Sequence, residues 1–498
     1  MKIGIIEILD RGPMHTVYAK AMRVNLASIM PQVLAVWCEE AGHEVFPAYY
    51  NGYENMMAEL PKDLDMVFIG AFTQSALVAY ALSRVFQKQG VVTVLGGPHA
   101  RCYPEDAKLY FDYVCGFTTK ELFFDLLKNH RTNRPEGVYL KAAGQPKQLP
   151  GVKQRWKFIK PLLDMAPYLK IIPMISSMGC PYRCDFCIDA DVPFQPVDYD
   201  SLKDDLKFLQ TQARRPIVAW HDPNFGIRFD EIMSIIEEAS PKGRIRYIAE
   251  SSLSLLTEEN VKRLKKNKFM ALLPGVESWN EKSGKIKAGN STGAARMEKV
   301  ADQLNMISRY IPYTQVNFVL GMDCDSGDEP FELSKKFLDL SPAAFPGFSL
   351  LTAFGQAAPL NTIYKEEGRI VDFPFHFLDN TFAMNVRPKH YSWPEFYDHL
   401  ISLQQHAFSK SLVRRRFFAN RRLVPRMLNL LRAKSFEGEG KVRYFSRVRE
   451  ALDNDITFRK FFEQETREVP EFFTLRIKRD LGPLYSVIED SLLPKRFG

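Results

Sequence analysis

Short apolar segments alternate with helical periods along most of this chain, and that alternation leaves few folds open to it. In residues 1–145, strands are predicted at Lys2–Ile6, His43–Tyr49, Asp65–Phe72, Val91–Leu95 and Asp112–Cys115. Helical spacing covers Val24–Ala41, ended by Gly42, and Ala76–Gln89, ended by Gly90. Such alternation implies an α/β fold with a parallel sheet covered on both faces, and its ligands sit beyond the C-terminal strand ends. Residues 146–170 read as a connector with Pro, Lys and Trp. Six more apolar segments follow, at Ile171–Ser176, Ile217–His221, Ile245–Glu250, Ala271–Val276, Thr314–Leu320 and Gly347–Ala353. Helical stretches separate most of them, at Ser201–Gln212, Asp230–Glu238, Glu258–Lys266, Gly293–Ser308 and Glu329–Leu340. This second unit spans 171–395, and a mostly helical region fills 396–498.

Directly after the first strand of the second unit, Cys180, Cys184 and Cys187 form C-x3-C-x2-C, three of the chain's seven cysteines. Thiolates are soft ligands, so three on one short loop point to zinc or to an iron–sulfur centre. A disulfide is a poor fit, because bridging so short a loop demands unusual geometry and constrains little chain. Structural zinc takes four protein ligands, usually as close pairs. No second C-x2-C and no H-x3-H occurs, so zinc would need a distant residue such as His221 or Cys324. An iron–sulfur cluster normally takes four thiolates. Three leave one iron open to a substrate.

Cysteines gathered on one loop fit a reducing compartment, the start of the chain reads as a strand rather than a signal peptide, and no apolar run of membrane-spanning length occurs. A cytoplasmic protein is expected. The net charge of +8 is uneven: residues 401–498 hold 21 Lys+Arg against 12 Asp+Glu, and the rest of the chain 46 against 47.

The cysteine loop, with Phe186 just before the last cysteine, resembles that of the radical S-adenosylmethionine (radical SAM) enzymes. The resemblance implies a partial (β/α)6 barrel in which Cys180, Cys184 and Cys187 hold a [4Fe-4S] cluster. The open iron chelates SAM, and one electron cleaves it to methionine and a 5′-deoxyadenosyl radical. It also implies roles at the strand ends. Asp222 and Asn224, in a D-x-N-F segment, would receive the SAM ammonium. Glu250 ends the third strand, beside Ser252 where relatives often have an arginine. Gly275 to Ser278 matches a G-V-E-S element, so Glu277 and Ser278 would meet the ribose or amino groups. Gly321 would let adenine lie on backbone. Phe354 to Leu360 is similar to an F-P-G-T-P-L loop, with its first proline lost.

The first unit resembles the cobalamin-binding, Rossmann-like domain of one large subgroup. Pro31 to Val45 reads like that domain's first helix and second strand, Ser75 to Leu77 like its S-x-L element, Gly96-Gly97-Pro98-His99 like its G-G-P-H turn, and Asp112 to Gly116 like its last strand. Ser75, Gly96, Gly97 and His99 are the implied cofactor contacts. No D-x-H-x-x-G occurs, so no lower axial histidine is implied. The expected activity is cobalamin-dependent methylation of an unactivated carbon. A cobalamin-independent cyclase, oxidase or rearrangement enzyme is the alternative, and a zinc-stabilised binding protein is a third. The family's need for a low-potential electron implies a flavodoxin- or ferredoxin-type donor. The substrate is expected to be a small molecule or lipid-like. Arg414, Arg415, Arg416, Arg421 and Arg422, interleaved with Phe417, Phe418, Leu423, Met427, Leu428 and Leu431, suggest a solvated helix face packed over the barrel's open side, or peripheral membrane contact. No nucleic-acid partner is expected.

Overall fold

The computed structural model describes residues 1–13, 17–22, 27–52, 54–130, 136–146, 148–166, 168–280 and 292–496. Its first sheet has six strands: β1 (Lys2–Ile8), β2 (Glu44–Tyr50), β3 (Met66–Gly70), β4 (Val92–Gly96), β5 (Tyr113–Cys115) and β6 (Val138–Leu140). All pairings are parallel, in the order β2-β1-β3-β4-β5-β6. The central strands Met66–Gly70 and Val92–Gly96 are almost wholly apolar, as strands covered on both faces must be. The three half-buried residues of β6 carry too little pattern to be read from sequence.

The second sheet is built from β7 (Ile171–Met174), β10 (Ile217–Trp220), β11 (Arg246–Ala249), β12 (Phe269–Leu272), β13 (Gly275–Glu277), β14 (Tyr313–Leu320) and β15 (Phe345–Leu350). A two-residue ladder of β8 (Ser177–Met178) and β9 (Gln195–Pro196) lies between β7 and β10. The main strands run parallel in the order β7-β10-β11-β12-β14-β15. Strand β13 continues the line of β12 and pairs with β14. Among the described residues β7 and β15 do not pair with each other, so the barrel is partial. The edge at β15 is covered: the Leu350 amide donates to the Asn380 carbonyl at 2.6 Å, and buried Lys441 Nζ to the Phe348 carbonyl at 2.7 Å.

Three expectations need correction. The second helix is Met30–Glu40 rather than Val24–Ala41, because Pro31, which cannot donate an amide, must lie in a first turn; residues 24–26 lie outside the described ones. The connector holds a helix, Val152–Met165. Its weak signal is overridden by tertiary contacts: Asp205 accepts from the Val152 and Lys153 amides at 2.7 and 3.1 Å, and Arg155 donates to Gln32 at 2.6 Å. In the basic C-terminal segment the solvated-face pattern fails at Arg416. It is buried between the Phe345 and Phe408 rings and donates to the Ala344 and Ala407 carbonyls, whereas Phe418, Leu423 and Met427 are exposed. Among the described residues no helix is long and apolar enough to cross a membrane.

Candidate active site

The cysteine loop is closed at its base by the β8–β9 ladder. Gly179 opens it at φ +66°, where a Cβ would come within 2.1 Å of the Pro193 carbonyl oxygen. Within the loop, the Cys180 amide donates to Val192 at 3.2 Å and the Cys187 amide to Cys184 at 3.0 Å. The Asp189 amide donates to Cys187 Sγ at 3.4 Å. Cys180 is buried, and Cys184 and Cys187 are half-buried. A Gly179→Ala protein is expected to fold but to hold less than half the wild-type iron after anaerobic reconstitution. Full iron content would show that the turn tolerates a side chain.

Distant elements pin this loop from several sides. Buried Asp222, after β10, accepts from the Ser176 amide at 3.0 Å, from Ser176 Oγ at 2.6 Å and from Ser177 Oγ at 2.8 Å. Arg101, from the first unit, pairs with Asp189 at 2.9 Å and donates to the Ile188 carbonyl at 2.7 Å. The Leu360 amide, in the segment after the sixth barrel strand, donates to the Asp185 carbonyl at 3.0 Å. The Tyr182 hydroxyl meets Ser254 Oγ at 3.0 Å.

Two cavities flank the loop. One, about 620 Å³, opens over the C-terminal ends of the barrel strands and takes Phe186 and Cys187 into its wall together with Asn224, Glu250 and Glu277. The other, about 570 Å³, lies beyond the C-terminal ends of β1, β3, β4 and β5 and takes in Gly96, Gly97, Gly179 and Asp189. Phe72, Pro98 and Pro223 border both. Glu277 is buried with φ +64°, a conformation that costs a non-glycine residue about 1–3 kcal/mol and persists mostly where function requires it. Asn224 holds the neighbouring turn: its Oδ1 accepts from the Ser252 amide at 2.8 Å.

Five expected contacts lie elsewhere. Asp222 lines neither cavity, because its carboxylate is taken up by Ser176 and Ser177; burial raises its pKa. Ser278 turns away and donates to Asp325 at 2.5 Å. Gly321, at φ +89°, sits against Met384 and Phe396, which a Cβ would meet at 2.7 to 3.0 Å, and this packing accounts for the glycine without adenine. Ser75 is buried in a helical turn, and its neighbours Thr73 and Gln74 line the barrel cavity instead. His99 is sealed among aromatic rings, with Phe375 at 4.7 Å and the Tyr80 hydroxyl at 2.7 Å, and burial lowers its pKa to about 3. Sequence reasoning missed Arg101 and Asp189, which pair across the two units.

Among the described residues no three His, Cys, Asp or Glu side chains converge on one metal ion. An iron–sulfur cluster takes its thiolates on different irons, and three free thiols on one loop suit it. His221 lines the cavity beyond β1, and Cys324 is exposed beside Ser278.

Comparison with known proteins agrees with this geometry. Residues 174–332 match the sequence model of the radical SAM superfamily, which identifies this central segment as a radical SAM domain. Its fold implies a [4Fe-4S] cluster and SAM. The chain is 24% identical, over 417 residues, to the bacteriochlorophyllide d C-12(1)-methyltransferase of Chlorobaculum tepidum, covering 82% of this chain and 86% of that one. Its fold is similar to that of the cobalamin-dependent S-adenosylmethionine radical enzyme OxsB with aqua-cobalamin bound (TM-score 0.57, 11% identity, 98% and 80% covered). It is also similar to the radical S-adenosylmethionine methyltransferase TsrM of Kitasatospora setae with cobalamin and [4Fe-4S] cluster bound (TM-score 0.52, 14% identity, 73% and 78% covered).

Proposed function

We propose that this radical SAM enzyme is a cobalamin-dependent methyltransferase acting on an unactivated carbon of a small molecule. The observation that carries the reading is the position of the cysteine loop, which walls the barrel cavity with Phe186 and Cys187 and the second cavity with Gly179 and Asp189. One loop thereby faces two chambers that share a border. The methyltransferase relative and the cobalamin-holding folds support the same reading. The second cavity suits a corrinoid: it lies where ligands of parallel sheets sit, its wall is largely apolar, and a Cβ on Gly96 would meet nothing within 4 Å.

When bound, the cluster with SAM supplies a primary carbon radical and cobalamin supplies a transferable methyl group. The protein positions these groups and excludes competing reactions. Cys180, Cys184 and Cys187 would hold the cluster. Asn224, Glu250 and Glu277 would receive the polar groups of SAM in the barrel cavity, with Phe186 at its edge. Asp222 and Arg101 keep the loop in register with both chambers. The electron is proposed to come from a flavodoxin- or ferredoxin-type donor in the cytoplasm. The substrate would enter the barrel cavity, where Gln315, Asn317 and Thr352 offer hydrogen bonds.

A hydrogen bond to a charged group contributes about 1.5–3 kcal/mol. A Glu277→Gln protein is accordingly expected to bind SAM about ten- to a hundredfold more weakly by calorimetry, with its iron content unchanged. Equal affinity would remove Glu277 from the SAM site. The reaction itself is tested with methyl-labelled SAM and a small-molecule extract of the producing cells. Label should enter a product only when both a low-potential reductant and cobalamin are supplied. Incorporation without cobalamin would contradict the proposed cofactor.

A further inference from the structure

Between Lys410 and Lys434 the chain carries nine Lys and Arg and no Asp or Glu, which is the whole basic excess of residues 401–498. Two helices fill this stretch, Lys410–Ala419 and Leu423–Ala433, and the second is turned inside out. A surface helix ordinarily presents its apolar stripe to the core. Here Pro425, Asn429, Arg432 and Ala433 are buried, while Leu423, Val424, Met427 and Leu431 are exposed, the first two at 67% and 69%. The exposed four share an arc of about 100° on one face. Phe418, also exposed, stands at the end of the neighbouring helix, and Arg426 over the Phe417 ring at 5.5 Å ties the two helices together. Large exposed apolar side chains gathered this closely mark an interaction surface.

The cations beside them are unspent. Lys410, Arg414, Arg421 and Arg422 are exposed, and among the described residues none of the four has an acidic partner, whereas Arg415 is paired with Asp339 at 2.8 Å. We propose that this face docks on an anionic lipid bilayer, with Leu423, Val424 and Met427 entering the acyl boundary and Lys410, Arg414, Arg421 and Arg422 meeting lipid phosphates. The helix lies in the plane of the surface and does not cross it.

Other acidic partners suit the face less well. Through Arg432 and Arg416 the inner side of the two helices meets Tyr313 and Phe345, the first residues of β14 and β15. The cysteine loop follows the C-terminal end of β7, so it lies at the other end of this parallel barrel. An acidic electron donor seated here would be remote from the cluster it must reduce. Nucleic acid would engage the cations and leave the apolar stripe in water.

Flotation of the full-length protein with lipid vesicles tests this. Wild type should bind vesicles of phosphatidylglycerol and phosphatidylcholine in equal parts about tenfold or more tightly than phosphatidylcholine alone, and added salt should weaken the binding. Arg421→Gln and Arg422→Gln should each lower the affinity about fivefold. Leu423→Gln combined with Met427→Gln, which leaves the charge unchanged, should lower it about tenfold or more. All four side chains are exposed, so the melting temperature and 5′-deoxyadenosine release without vesicles should match wild type. Wild-type binding that is equal on the two kinds of vesicle, or absent from both, overturns the proposal. A Leu423→Gln, Met427→Gln protein that floats as wild type does overturns it as well, because charge alone would then account for the binding. Tighter binding to an acidic ferredoxin or to duplex DNA than to the anionic vesicles overturns it in favour of that partner.

Discussion

A Cys184→Ala protein is expected to lose its cluster and, with it, all cleavage of SAM. With three thiolates on one loop, removing the middle one leaves two ligands seven positions apart on either side of the gap. Two thiolates cannot hold a centre that ordinarily takes four. Iron measured after anaerobic reconstitution should fall from about four per chain to background. 5′-Deoxyadenosine formation should vanish rather than decline. The fold itself should survive, because the loop is tied by Asp222, Arg101 and Leu360 independently of any metal. A Cys184→Ala protein that retained iron and SAM cleavage would sink the assignment of the thiol ligands.

The largest expected loss of stability lies one layer behind those thiols. Replacing Asp222 with alanine strands the Ser176 amide and the two serine hydroxyls, all buried. A buried donor left unsatisfied costs about 1–3 kcal/mol, and single substitutions above about 4–5 kcal/mol are exceptional, so about 3–5 kcal/mol is expected. The same change frees the segment that delivers Gly179 and Cys180, so cluster yield should fall together with the melting temperature. Asp222→Asn keeps an acceptor and should recover part of both. An Asp222→Ala protein with an unchanged melting temperature and a full cluster would show that these bonds do not hold the loop.

Much of the fold is legible in the sequence because period-2 and period-3.6 patterns alternate strongly. The helices Glu258–Lys266 and Glu329–Leu340 end where their patterns end. The segment Val152–Met165 was illegible because its helix depends on Asp205 and Gln32, residues distant in sequence. Within the site, Cys187, Phe186, Asn224, Glu250 and Glu277 line one cavity, because their motifs lie on the loops and strand ends at one face of the barrel. Motif position alone could not tell which neighbour turns inward. Asp222 and Ser278 sit one or two residues from cavity residues but spend their oxygens on the backbone and on other side chains. Ser75 is buried in its turn and gives way to Thr73 and Gln74 in the cavity wall. Arg101 and Asp189 carry no motif, and their pairing spans two sheets. Arg416 was misread because the rings that enclose it, Phe345 and Phe408, lie outside the run of three arginines in which it stands.

The central claim is that three thiols on one pinned loop carry a cluster whose open iron acts on SAM. Its most direct measurement is 5′-deoxyadenosine released by anaerobically reconstituted protein given SAM and a low-potential reductant. The account predicts release that exceeds one equivalent per chain and requires reductant. Protein holding about four irons per chain that leaves SAM intact under the same conditions would contradict it.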